Sequence, residues 1–312
     1  MHGGESMNKI TFALLVVLTT GLMGSSFAVG KFGLVYWSPL LLVACRFTLA
    51  GVIMAIVVKV LKKQHPAKLI DWMWLVLIGL FQTACVMGCI FLALRTITSG
   101  ETSILTFMNP LLVVVFGTIF LKARYRIQQW IGVLFGLMGV FITMGGHLDI
   151  RIGTLLGFTS AVSWAIATLL VKTHGYKFDT WVMTAYQMLF GGLLLFVASF
   201  LLEEPFFIPN PQSISILLWL AIPASIVQFS IWFYLLQQGN PEKTSAFLFL
   251  APFFGVISGW FLLDERLKWS ILIGGAFIFI GIFLVNWKSE GNGKVILHDL
   301  LNKRLLGRDS SS

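Results

Sequence analysis

The residues best equipped for chemistry in this chain are one arginine and a few amides set inside long apolar runs. Arg46 interrupts such a run, and Gln82, Gln187, Gln228 and Asn109 are its uncharged counterparts elsewhere. A charge at bilayer depth costs about 2.5–3.5 kcal/mol on insertion scales unless it finds a partner or water. Two readings of Arg46 therefore stand: it faces a cavity or polar network and meets an anionic solute group, or it snorkels or caps a neighbouring helix end, with about five residues between it and Leu41. The amides either read a zwitterion or amide on a solute, or tie helices together at about 0.6 kcal/mol each. Asn109 precedes Pro110, and Pro252 stands at the equivalent place later in the chain; a mid-span proline frees a carbonyl of the preceding turn and kinks the helix. Such a carbonyl serves a solute, a hinge or packing alone. Trp164, Trp232, Tyr234 and Phe249 are candidates for an aromatic cavity wall, with lipid contact or packing as the alternative. Ser25, Ser26, Ser163 and Thr168 line a path or bond back to their own helix.

Several chemistries find no support. His, Ser and carboxylate groups show no convergent arrangement for catalysis, and no GxxxxGK[ST] glycine loop for a nucleotide phosphate is present. The reading is a non-enzyme with no cofactor and no metal. Cys45, Cys85 and Cys89 all sit in apolar segments; Cys85 and Cys89 are one helical turn apart with no His or carboxylate nearby, so they read as packing. Glu101, Glu242, Asp264 and Glu265 fall near helix ends, and no acid stands near the middle of a span. That favours facilitated transport or exchange, or coupling through an end residue.

The elements that must position these groups follow from composition. Of 312 residues 57% are hydrophobic and 11% charged, with mean hydropathy +0.89, whereas soluble domains carry roughly a quarter charged residues. A soluble globule has no interior for so much apolar surface; a hydrocarbon layer about 30 Å thick accepts it as helices of roughly 20 residues. The net charge of +9 comes from short clusters between apolar runs, which read as topology signals and exclude a nucleic-acid face. The breaks predict ten spans: Ile10 to Val29, Pro39 to Val60, Trp72 to Leu94, Thr102 to Leu121, Ile127 to Gly145, Ile152 to Val171, Trp181 to Leu202, Ile214 to Leu236, Thr244 to Leu263 and Trp269 to Trp287. The first run continues past Phe27 without a clear cleavage site and reads as a span rather than a signal peptide.

With the N-terminus placed in the cytoplasm, about sixteen Lys and Arg residues fall inside and five outside, Arg46 being left within a span. Both termini are then cytoplasmic: residues 1–9 before the first span, and a basic tail over 289–312 that reads as an amphipathic surface helix or a frayed end.

The chain also repeats itself. Adding 141 to Met23, Lys31 and Arg46 gives Trp164, Lys172 and Gln187; adding 142 to Ser103, Pro110, Leu121, Arg124, Gly132 and Gly139 gives Ser245, Pro252, Leu263, Arg266, Gly274 and Gly281. The repeats are expected over 10–146 and 147–288. Five spans per copy is odd, so the second copy enters the membrane from the opposite side, the inverted-repeat arrangement that permits alternating access. Gly132, Gly136, Gly139, Gly274, Gly275 and Gly281 read as close-packing positions, within the chain or between copies of a homodimer.

Gly24-Ser25-Ser26-Phe27 with Lys31, Arg46, Ala93-Leu94 and Asn109-Pro110 in the first half, and Ser163-Trp164-Ala165 with Lys172, Gln187, Leu235-Leu236, Pro252 and Leu263-Asp264-Glu265-Arg266 in the second, resemble the EamA family of the drug/metabolite transporter superfamily over Ile10 to Trp287. The departures are Met23, where such families often carry Trp, and Ala123, at the position Glu265 fills in the other copy. The resemblance implies a ten-helix fold with a central cavity lined by the first, third, fourth, sixth, eighth and ninth helices, and export of amino acids or related metabolites. The expectation is thus an all-α integral membrane protein of about ten spans in two inverted repeats. It moves small neutral or zwitterionic solutes across the cell membrane, with multidrug efflux or a non-transporting sensor or assembly protein as alternatives. Substrate contacts fall to Ser26, Gln82, Asn109, Trp164, Thr168, Gln228, Trp232 and Phe249, and structural or gating roles to Lys31, Arg46, Pro110, Lys172, Pro252 and Glu265.

Overall fold

The structure, a computed structural model, describes residues 8–123, 125–143, 151–238, 248 and 250–286. The expectations placed on Phe249, Glu242, Ser245, Trp287 and the basic tail lie outside those residues. The described chain is helical throughout: α1 (Lys9–Gly33), α2 (Pro39–Val60), α3 (Leu69–Ala93), α4 (Ser99–Leu121), α5 (Ile127–Thr143), α6 (Ile152–His174), α7 (Thr180–Leu202), α8 (Pro211–Ala221 continuing into Gln228–Gln238), α9 (Leu250–Leu263) and α10 (Trp269–Asn286). Seven, α1–α4 and α6–α8, are long and apolar enough to cross a membrane, and α5, α9 and α10 are shorter apolar helices. This is an all-α, multi-pass membrane protein, as a chain must be whose backbone groups find no water in hydrocarbon.

Short polar residues set where the helices begin. Asn8, Thr98 and Asp179 accept from the backbone N–H groups of Ile10, Glu101 and Trp181, and Asn210 forms a capping box with Ser213. The Thr98 cap explains why α4 begins three residues before the expected Thr102. Glu203 does a capping job from another element: its carboxylate accepts from the N–H of Leu40 (3.2 Å) and Leu41 (3.0 Å) at the start of α2, where the helix dipole favours an anion. Nearby, Trp37 and Phe207 form an antiparallel bridge and their rings stack at 3.9 Å, binding the α1–α2 connection to the α7–α8 connection.

Three departures from straight helix position the functional residues. α3 carries a π-turn at Leu80–Cys85 and α8 one at Ile222–Val227, places 142 residues apart. α4 breaks at Phe107–Met108, and Asn109-Pro110 open a new segment. The expected mid-span kink is therefore a full interruption, since the ring removes the N–H that would reach Thr106. α4 and α9 both end on a residue with φ 51°, Lys122 and Asp264, closed by Ala123 N–H to Gly117 O (3.1 Å) and Glu265 N–H to Gly259 O (3.2 Å). Left-handed non-glycine backbone costs about 1–2 kcal/mol, and it recurs here at the same place in both halves.

Helix pairing follows the halves. α2 packs on α7, α4 on α9 and α5 on α10; α1 packs on α8 and α9, while α6 packs on α3 and α4. Lipid tails are as apolar as these helix surfaces, so association depends on close van der Waals fit. Glycine supplies it: a Cβ on Gly132 would lie 2.6 Å from the Gly281 oxygen, and one on Gly139 2.6 Å from the Gly274 oxygen. Gly51 meets the Leu189 backbone and Gly192 the Thr48 backbone, each at 2.5 Å from the nitrogen. These glycines are engaged inside the chain.

Candidate functional site

A narrow cavity, open at one mouth, lies between α1, α2, α3, α4, α6 and α8. α1 contributes Met23, Ser26 and Phe27; α2 contributes Arg46. α3 supplies Gln82 from its π-turn and, further along, Val86, Met87, Ile90 and Phe91. Thr106 and Phe107 come from the break in α4, Trp164 from α6, and Ala224, Gln228 and Phe229 from α8. The π-turns and the break are thus where backbone irregularity reaches the cavity, the setting in which a membrane tolerates it. Phe107 bridges the aromatic wall, with ring centroids 6.0 Å from Phe27 and 5.4 Å from Trp164.

Arg46 is 3% exposed. Its Nε donates to Ser225 Oγ at 3.0 Å, one Nη2 hydrogen goes to the Ala224 carbonyl at 3.0 Å, and the guanidinium carbon stands 4.7 Å from the centre of the Phe47 ring. The π-turn of α8 makes this contact, because Ser225 in turn donates to Leu220 O five residues back (2.9 Å). Gln187, 141 residues after Arg46, accepts from Thr83 Oγ1 at 2.6 Å, and Thr83 sits on the other π-turn, 142 residues before Ser225. The same cross-half contact is built twice, once charged and once neutral. Gln228 is 2% exposed, and its Nε2 has no hydrogen-bond partner among the described residues.

A second polar cluster closes one end of the bundle. Lys31 at the end of α1 reaches Glu265 Oε1 at 2.9 Å and the Ile97 carbonyl at 2.8 Å. Glu265 also accepts from the Ser99 backbone N–H (2.9 and 3.1 Å) and hydroxyl (2.8 Å), so α1, α4 and the α9–α10 connection meet on one carboxylate. At the corresponding positions of the other half stand Lys172, exposed in the last turn of α6, and Ala123, which has no carboxylate to offer. Two further ion pairs join the α2–α3 and α6–α7 regions, Lys63–Asp179 at 3.1 Å and Lys177–Asp71 at 3.9 Å. Burial acts to raise the Asp179 carboxyl, but hydrogen bonds from Lys63 and the N–H groups of Trp181 and Val182 outweigh it and hold the group below its ordinary value.

The structure brings Ser26, Gln82, Trp164, Gln228 and Arg46 together around one space. Asn109 is buried next to the α4 break and Trp232 is 9% exposed, but neither lines the cavity. Thr168 donates back to the Trp164 carbonyl at 2.8 Å, and Tyr234 is largely exposed. Pro110 and Pro252 are both buried or half-buried near the start of a helical segment, with the Pro252 carbonyl 3.5 Å from Ser103 Oγ. Sequence reasoning missed Val86, Met87, Ile90, Phe91, Thr106, Phe107, Ala224 and Phe229 in the lining. The repeat held a signal for some of them: Met23 and Trp164, Gln82 and Ala224, Val86 and Gln228, and Met87 and Phe229 are pairs 141 or 142 apart, and both members of each line the cavity.

Comparison with known proteins bears on the same residues. The chain is 28% identical to the uncharacterized transporter YvbV of Bacillus subtilis, covering 92% of this chain and 95% of that protein. It is also 28% identical to an uncharacterized transporter of Archaeoglobus fulgidus, over 91% of this chain and 100% of that one. A crystal structure 21% identical in sequence superposes with a TM-score of 0.61 over 89% of this chain and 96% of the other, a likeness of fold. Residues 10–145 and again 151–287 match the model of the EamA-like transporter family, two successive copies of one unit with Arg46 and Gln82 in the first and Trp164 and Gln228 in the second, and the chain belongs to that family.

Proposed function

We propose that this transporter carries small, neutral or zwitterionic organic solutes, amino acids foremost, out of the cytoplasm by alternating access through the central cavity. The observation that carries the reading is that the cavity is walled by matching positions of the two halves. Reciprocal contacts support an inverted arrangement: Gly132 meets Gly281 while Gly139 meets Gly274, and moving Gly132 up and Gly281 down by 142 positions turns the first pair into the second. Gly51–Leu189 and Thr48–Gly192 behave alike with 141. Contacts that exchange in this way are those of a twofold axis, and with five helices per copy that axis lies in the membrane plane. Two such halves can trade conformations and open the shared site to each side in turn. The excess of basic residues on one set of connections supports a plasma-membrane protein with both ends in the cytoplasm.

Counterflow in proteoliposomes tests the proposal. Saturable exchange of a radiolabelled amino acid, absent from protein-free vesicles, is the expected result; binding without flux would turn the protein into a sensor. The aromatic lining favours multidrug efflux as a second reading, and inhibition of amino-acid flux by hydrophobic cations would support it.

A further inference from the structure

We infer that the cavity selects apolar monocarboxylates, with the carboxylate held by Arg46 and Gln228 and the body of the solute against Phe107 and Trp164. This rests on the cavity being the solute site, as proposed above, and moves the preferred solute from zwitterions to acids without a compensating cation, amino acids becoming the weaker substrates.

A guanidinium has five N–H donors and no acceptor. Two of those on Arg46 are engaged by Ser225 and Ala224, and the other three have no acceptor among the described residues. The described ion pairs are Lys31–Glu265, Lys63–Asp179 and Lys177–Asp71, so Arg46 has no carboxylate of its own. A charge at this depth must be compensated, and a planar anion able to accept two parallel hydrogen bonds matches the guanidinium fork. Gln228 Nε2, buried on the same cavity and without a partner among the described residues, adds a donor of the kind a carboxylate accepts.

The lining also says what the rest of the solute is. Among the described residues it contains no Asp or Glu, so a solute ammonium would lose its hydration and gain no counter-charge there, whereas an aromatic or branched hydrocarbon would meet Phe107 and Trp164. Arg46 with a monoanion is neutral overall and can be enclosed in a low-dielectric site at least cost. Gln187 stands where a second arginine would be, so the site takes one anionic group.

The test is a ladder of three solutes of one shape: phenylpyruvate, phenylalanine and phenylalaninamide. Binding is followed by thermal stabilisation of the purified full chain, and flux by competition in proteoliposomes. In the wild-type protein phenylpyruvate is expected to half-saturate at a concentration at least about tenfold below that of phenylalaninamide, with phenylalanine between. Arg46→Gln is expected to weaken phenylpyruvate about ten- to a hundredfold, the range for a charge-assisted hydrogen bond, and to leave the amide unchanged. An amide that competes as well as the acid overturns the inference, and that comparison needs no variant should Arg46→Gln fail to fold. Flux indifferent to the carboxylate would remove the anion site and keep the carrier. Phenylpyruvate binding that depends on Arg46 but yields no flux would keep the site and remove the carrier.

Discussion

Arg46 and Gln187 occupy corresponding places in the two halves, and what each touches shows how far a single residue can be understood from its type. Both reach across to a hydroxyl on the π-turn of the opposite half, Ser225 or Thr83. The neutral pair is ordinary interhelical glue. Thr83→Val should lower thermal stability in detergent by about 0.6 kcal/mol and at most about 1.7 kcal/mol. Ser225→Ala leaves a buried guanidinium with one acceptor fewer, and hydrogen bonds to charged groups are worth about 1.5–3 kcal/mol; its loss should be clearly the larger. Equal losses in the two variants would mean that Arg46 is hydrated as well as any surface arginine, and the charge argument would collapse. That Arg46 and Gln228 are polar groups set inside apolar runs was legible in the sequence, and both are buried on the cavity. The partners of Arg46 were not legible, since Ala224, Ser225 and the cavity residue Phe107 are types found throughout the chain and only the backbone irregularities bring them to the site.

Apolar runs announced the helices, and residues at their ends adjusted the boundaries by a few positions. Hydropathy says nothing of a π-turn, which keeps the helix apolar and changes only its register, so Leu80–Cys85 and Ile222–Val227 were invisible. Glycine did announce packing, and the structure shows which face. Gly139→Val should destabilise by about 1–3 kcal/mol through overpacking against the Gly274 oxygen, and Gly132→Val should match it because its contact is the same one exchanged. By contrast Gly21 has nothing within 4 Å of a Cβ, so Gly21→Ala should be neutral or stabilising by up to about 1 kcal/mol from helix propensity; similar losses in all three would refute the assignment of the α5–α10 interface. At the start of α7, Asp179 has a carboxyl pKa below its ordinary value. A depressed acid contributes stability that is present above the ordinary carboxylate pKa and lost as pH falls through its folded value. Melting curves of wild type and Asp179→Asn should therefore differ at neutral pH and converge in acid; a gap that persists in acid would assign the effect to the helix cap alone. The Lys31–Glu265–Ser99 junction is a different kind of element contact, since it fastens the ends of three helices. Glu265→Gln should raise the reactivity of Ser26→Cys toward a membrane-impermeant thiol reagent, measured with Cys45, Cys85 and Cys89 changed to Ala, and no change would mean the junction does not bar the cavity.

At the scale of the whole molecule the question is whether the two halves face opposite sides of the bilayer. The repeat was readable from spacing alone, because duplicated helices keep their glycine, proline and basic positions even as the side chains between them diverge. What spacing could not supply was the contact pattern. α2 with α7, α4 with α9 and α5 with α10 are each a helix packed on its own counterpart, the pairing that a pseudo-twofold axis between the halves would produce. If that axis lies in the membrane plane, two measurements must agree. Reporter fusions at the first and last residues should both report the cytoplasm, the face on which about sixteen of the basic residues fall. Met23→Cys and Trp164→Cys, counterparts across the axis on the same cavity, should be reached by reagent from the same side at any one time, from the outside in one form of the carrier and from the inside in the other. A solute that moves the carrier from one form to the other should then slow the labelling of both from one side and speed it from the other. Termini on different faces would exclude the axis outright. Termini on one face with both cysteines labelled from one face of the membrane under every condition would keep the axis and exclude the exchange of conformations, leaving a symmetric binding protein that does not rock.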